Sequence, residues 1–136
     1  MSRLDAVEVL KGRLRTDPRG RLHVTLGASQ LPPGVTFGEV YVVFTDGVGE
    51  RRGDHRHVHA DEWFSVIEGV ADLELLDPET HERRVLRLHA DAAETVRVPA
   101  GVAHCLVNIG PGRMVTVAWS SEEHDPSDTI PHSTVR

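Results

Sequence analysis

Gly53-Asp-His-Arg-His-Val-His-Ala-Asp-Glu62 runs into Glu62-Trp-Phe-Ser-Val-Ile67, and Gly69 then separates Val70-Ala-Asp-Leu-Glu-Leu-Leu76. Apolar and β-branched residues recur here with a period near two. That spacing marks strands, whose successive side chains point to opposite faces. Outward from this stretch the same reading continues. Glu39 to Thr45 is a β-branched and aromatic run that ends at the turn Asp46-Gly-Val-Gly49. Asp77-Pro-Glu-Thr80 has turn composition. Glu82 to Leu88 resumes, and Glu94-Thr-Val-Arg-Val98 alternates and stops at Pro99. His104 to Ile109 and Met114 to Trp119 flank the turn Gly110-Pro-Gly112. Asp17-Pro-Arg-Gly20 splits the first region into two short strands. Short strands between regular turn signals predict an all-β sandwich or barrel. No amphipathic helix longer than two turns is expected.

The chain has 136 residues, 39% of them apolar and 26% charged, which suits one soluble globular domain. A chain of this size buries roughly two thirds of its unfolded surface. Twenty-one acids against 15 bases give a net charge of −6. Nucleic acid is disfavoured, because phosphate binding needs a basic footprint. Cys105 is the one cysteine, so no internal disulfide forms. Arg3, Asp5 and Glu8 interrupt the segment where a signal peptide would be apolar, and no apolar run approaches the ~20 residues of a membrane span. A cytoplasmic location is the default expectation.

Nine histidines stand against three Phe, two Trp and one Tyr. His55, His57 and His59 alternate, so a strand would point all three to one side. Glu62 follows across a bend at Ala60-Asp61, and His104 opens a later strand after Pro99-Ala-Gly101. Three neutral nitrogens and one carboxylate oxygen suit zinc first, with iron, nickel, copper or manganese as alternatives. Calcium and magnesium want more oxygens. A histidine-rich strand beside Glu50, Arg51, Arg52 and Asp54 can also be simply solvated. His23, His81, His89, His124 and His132 read as surface residues without a role. Trp63, Phe64, Val66 and Ile67 read as core.

Gly49-x5-His55-x-His57-x4-Glu62-x6-Gly69 resembles the first motif of the cupin family, and Pro99-x-Gly101-x2-His104-x3-Asn108 most of the second. Ala93 stands where that second motif begins with glycine. The resemblance implies a single cupin domain over 1–136, with its core at about 20–120 and a polar tail at 121–136. It implies an antiparallel jelly-roll barrel and His55, His57, Glu62 and His104 as metal ligands. Asp17-Pro-Arg-Gly-Arg-Leu22 and Arg52-Gly-Asp-His-Arg-His57 look like the small cupins of nucleotide-sugar metabolism, including sugar ketoisomerases. Trp119-Ser-Ser-Glu-Glu-His-Asp-Pro-Ser-Asp-Thr129 is similar to the end of the cupin domain in capsular-sugar reductases, which epimerises a 4-keto sugar and binds zinc. The ketoisomerases usually carry glutamine near position 62 and work without metal, so Glu62 favours the metal-binding branch. The rhamnose-pathway epimerases use a late tyrosine as acid. The only tyrosine here is Tyr41, and that mechanism is not carried over.

The resemblance implies an isomerase or epimerase that removes a proton beside the ketone of a nucleotide-linked 4-keto-6-deoxy sugar. A metal-dependent dioxygenase and a non-catalytic sugar- or metal-binding cupin remain alternatives. With three imidazoles on a metal, His59 is the nearest spare base and Tyr41 the acid. Without metal, His55 or His57 is the base. Arg52 would hold a diphosphate through its bidentate fork, or else pair with Glu50 or Asp54 at the rim. Small cupins resemble obligate dimers, which places Trp119 at a homodimer interface. Cys105 should face away from His104 as a packed apolar residue, and Asn108 should tie the turn that follows it.

Overall fold

Alternation along the chain becomes a stack of two antiparallel sheets. The computed structural model describes residues 2–135. Its strands are β1 (Glu8–Lys11), β2 (Arg13–Asp17), β3 (Gly20–Val24), β4 (Glu39–Thr45), β5 (Arg51–His57), β6 (Glu62–Glu68), β7 (Val70–Leu76), β8 (Arg83–His89), β9 (Glu94–Val98), β10 (Ala103–Asn108), β11 (Met114–Ser120) and β12 (Thr129–Pro131). One sheet runs β1-β9-β6-β11-β4 and the other β12-β5-β10-β7-β8. β2 and β3 form a separate hairpin around the Asp17–Gly20 turn. This is the all-β jelly roll that the strand pattern predicts. The only helices among the described residues are 3-10 turns of three or four residues. None is long and apolar enough to cross a membrane.

The core lies between the sheets. On β7, Ala71, Leu73 and Leu75 point inward while Asp72 and Glu74 point out. Phe64 and Val66 from β6, Val96 and Val98 from β9, Leu106 from β10 and Met114 from β11 meet them. Each such side chain, fully buried, contributes about 1.5–3 kcal/mol. β6 is buried on both faces, because Trp63 lies under Trp119 and Ser65 bonds Thr95, whose hydroxyl also reaches Thr25 O. Asn108 ties the following turn, as expected. Its side-chain amide donates to Thr45 O, Gly47 O and Gly112 O, and its Oδ1 accepts from Gly110 N–H. Cys105 is fully buried and on the opposite face from His104. Burial, then the Asp54 charge, pushes its thiol up to about 12. Ala93 adopts the left-handed φ of +54° that explains why glycine is usual there.

Two expectations change. The segment after Ser120 is not a free surface tail. β12 pairs with β5, Asp128 is buried, and Thr134 is buried against Asp54 and Glu74. The histidine strand also stops earlier than its alternation suggests, since β5 ends at His57.

Candidate functional site

A bulge in β5 aims the site. His55 pairs with His104 and Gly53 with Cys105, which leaves Asp54 as an extra residue in β5. Gly53 (φ +125°) and Asp54 (φ +57°) carry the bend. A Cβ at Gly53 would stand 2.6 Å from His104 O, so only glycine fits. The extra residue shifts the register, and Arg52, His55 and His57 all turn to the barrel cavities. Arg51 is turned outward instead. Its guanidinium bonds Asp54, Glu74 and Thr134, which holds the Asp54 carboxyl well below the usual carboxylate range.

The two sheets supply one cluster between them. His55 and His57 come from β5, His104 from β10, and Glu62 from the first residue of β6. One donor atom from each of the four lies within 4.8 Å of all the others. Glu62 is 3% exposed and His104 3%. Glu62 Oε1 lies 2.6 Å from His57 Nε2 and 3.7 Å from His104 Nε2, yet it accepts no hydrogen bond. Glu62 Oε2 accepts a 2.5 Å bond from the Tyr41 hydroxyl on β4. The far nitrogens have oxygens beside them. His57 Nδ1 is 3.4 Å from Thr129 Oγ1 and 3.7 Å from Asp128 Oδ2, and His104 Nδ1 is 3.4 Å from Val102 O. A proton placed on each Nδ1 leaves the Nε2 lone pair facing Glu62.

Burial sets the charges. It pushes His104 down to about 4 and lowers His55, where the nearby His57 adds to the effect. Both rings are neutral near pH 7. Burial also pulls His57 down, but the Glu62 carboxylate and Asp128 outweigh it and the net shift is upward. Burial pushes Glu62 up, while His57, His104 and the Tyr41 hydroxyl pull it below its usual value. Tyr41 is raised strongly, first by burial and then by Glu62, so its hydroxyl stays protonated. The buried Glu62 carboxylate, with the nitrogens of His55, His57 and His104 converging on it, is a donor set that fits a divalent first-row ion.

The sequence-predicted residues separate into two groups. The structure brings His55, His57, Glu62, His104 and Tyr41 together. Arg52 lies in the wall of the adjoining cavity. It does not pair with Glu50 or Asp54. Its guanidinium donates to Thr45 Oγ1 and Phe44 O, each at 3.2 Å, and has no carboxylate partner among the described residues. His59 is not brought in. It is exposed beyond the end of β5, where its backbone N–H bonds Asp128 Oδ1 at 2.7 Å and turns the chain away. His124, read from sequence as a roleless surface residue, is exposed as expected and also lines the cavity that holds His55 and His57, with Asp128 and Thr129. Asp125-Pro-Ser-Asp128 held a usable signal. Asp before Pro is an N-cap followed by a favoured first position, and Asp125 does cap that turn.

The family described as polysaccharide biosynthesis C-terminal domain matches residues 15–130. A dTDP sugar isomerase from Desulfovibrio desulfuricans superimposes with a TM-score of 0.85 at 16% identity, covering 98% of this chain and 88% of that one. A dTDP-4-dehydrorhamnose 3,5-epimerase from Bacillus anthracis gives 0.81 at 19% identity, covering 96% and 81%. The sugar 3,4-ketoisomerase QdtA from Thermoanaerobacterium thermosaccharolyticum gives 0.77 at 21% identity, covering 93% and 88%. Such likeness establishes the shared cupin jelly roll. No curated protein sequence matches the chain.

Proposed function

The chain belongs to the polysaccharide biosynthesis C-terminal domain family, and from that premise we propose that it isomerises or epimerises a nucleotide-linked 4-keto-6-deoxy sugar. The reaction moves a proton on the carbon beside the ketone. One observation carries this reading: the His55, His57, Glu62 and His104 donors converge beside the Tyr41 hydroxyl where two cavities meet. The likeness to sugar isomerase and epimerase structures supports it.

In this reading the four donors hold a divalent ion, zinc by first choice. Such an ion polarises a carbonyl as a Lewis acid when bound. The chain's own residues supply the rest. Tyr41 keeps its proton and offers the hydroxyl to the substrate oxygen in place of Glu62 Oε2. His124, in the wall of the same cavity, takes the proton-transfer role expected of His59. Proton transfer by a positioned imidazole contributes roughly 10²- to 10⁴-fold. Arg52 has no carboxylate partner and keeps its fork for the diphosphate.

We also propose a homodimer. Phe37, Val40, Val42 and Phe44 are 63%, 51%, 46% and 54% exposed, and Phe37 packs on Trp119. Val40, Val42 and Phe44 cover the outer face of edge strand β4, with Phe37 in the segment before it, and a two-fold partner would bury them.

The decisive experiment incubates the metal-loaded protein with dTDP- or UDP-4-keto-6-deoxy sugars in heavy water. Deuterium should enter at the carbon next to the ketone. No uptake across several such sugars would sink the reading.

A further inference from the structure

Arg52 and His55 stand three positions apart in β5, and so do Arg51 and Asp54. In a regular strand residues three apart point to opposite faces. Here each pair shares a face. Arg52 and His55 line one inner cavity, while Arg51 and Asp54 meet on the outer face as an ion pair at 3.0 Å. The bulge accounts for both pairs, and both need its extra residue to stay in place. Losing it would move part of β5 by one residue and turn those side chains to the other face. Asp54 keeps a φ of +57° there, a conformation that a non-glycine residue holds where its surroundings fix it. Those surroundings come from the C-terminal end of the chain. Pro131 pairs with His55, and His132 N–H donates to Asp54 O at 2.8 Å. Thr134, 0% exposed, then closes over the bulge. Its N–H donates to Asp54 Oδ1 at 3.1 Å, and its hydroxyl accepts from Arg51 at 2.9 Å. The hydroxyl proton has two carboxylate oxygens in reach, Asp54 Oδ1 at 3.0 Å and Glu74 Oε1 at 2.9 Å.

We propose that Thr134 and Asp54 are positioning residues: with Arg51 they form a clasp on the outer face that holds the β5 bulge and so keeps Arg52 and His55 together on the inner face. Neither residue lines the cavities of the site. The inference rests on the reading of the inner cluster as the reacting site, and it gives the C-terminal end of the chain the role of aiming it. β5 has two neighbours, β10 and β12. β10 carries His104 and admits the bulge past Gly53, and the clasp beyond β12 fixes the bulge from behind.

The test reads geometry in the metal-free full chain, so it depends neither on turnover nor on metal. The His55 and His104 rings stand edge to face with centroids 4.9 Å apart, and their protons should give an NOE. Thr134→Val removes the hydroxyl and Asp54→Asn the charge. Both should lose this NOE while amide signals of β6, β9 and β11, in the other sheet, stay at their wild-type positions. Thr134→Ser should retain it. Asp72→Asn breaks an ion pair with Arg87 on the same outer face and should retain it as well. Zinc titration against a competing chelator gives a second readout. The Kd should rise about 10-fold in Thr134→Val and Asp54→Asn and stay at the wild-type value in the other two. A wild-type NOE in Thr134→Val or Asp54→Asn overturns the clasp, as does its loss in Thr134→Ser or Asp72→Asn or its absence from the wild type. Global unfolding of either clasp variant overturns it too, because the contacts would then be holding the barrel and not the bulge. So does an unchanged zinc Kd in variants that have lost the NOE. A protein that takes up no deuterium but shows the expected NOE pattern loses the proposed reaction and keeps the clasp; one that takes up deuterium without that pattern loses the clasp alone.

Discussion

At His57, protonation and the proposed ligand role depend on the same two ring nitrogens. Its Nε2 stands 2.6 Å from Glu62 Oε1 while Nδ1 faces Thr129 and Asp128. The same carboxylate takes the Tyr41 hydroxyl on its other oxygen. Tyr41→Phe should therefore leave metal content unchanged and lower kcat by about 10²-fold, within the range of a lost proton donor. His124→Gln should lower kcat comparably, while His59→Gln should leave it near wild type. Steady-state rates with metal analysis of each variant check this, and a rate loss in His59→Gln alone would reverse the assignment. At this scale the convergence of His55, His57, Glu62 and His104 is legible because period two and the two motif spacings apply locally. His59 misled because the same alternation continues in sequence after the strand has ended. Its fate depends on Asp128, 69 positions away, which no local pattern reports.

Between elements, short polar ties decide where strands begin. Asp77 closes the β7–β8 turn and also fastens the N-terminal turn. Its carboxylate accepts from Arg3 N–H at 2.8 Å, Glu79 N–H at 2.9 Å and Ser2 Oγ at 3.3 Å. Burial pushes this carboxyl up, but the backbone donors win and leave it at about 2 against an ordinary 3.8. A depressed carboxylate stabilises the fold above its unfolded value. That contribution is lost as pH falls from 3.8 through about 2. Asp77→Asn should cost about 2 kcal/mol near neutrality and little once the wild-type carboxyl is protonated. Urea unfolding at both ends of that window measures it. Strand bounds at Glu39–Thr45, Val70–Leu76 and Glu94–Val98 were readable from alternation and flanking turn residues. The β5 bulge was not. Gly53 inside a strand signals an irregularity, but only the pairing with β10 shows which way the register moves.

For the molecule as a whole, the donors come from β5, β6 and β10 in two different sheets, so only the folded chain assembles them. A ligand that binds only the folded state stabilises it, by about 4 kcal/mol at a thousand times its Kd. Chelation should lower Tm, and Glu62→Gln should melt at one temperature with or without chelator. An unchanged wild-type Tm would remove the metal from the proposal. The face carrying Val40, Val42 and Phe44 belongs to this scale as well. Val42→Lys should shift the mass found by light scattering from dimer to monomer with the far-UV spectrum intact. Sequence composition did not hint at this face, because the exposure of Val40, Val42 and Phe44 follows from β4 standing at the edge of its sheet. One further feature has an experimental use. Cys105, the single thiol, sits fully buried in β10 between two strands of its sheet, with its proton held up to about 12. An alkylating reagent can reach it only when that central strand is released, so its labelling rate is a clock for barrel opening already written into the chain.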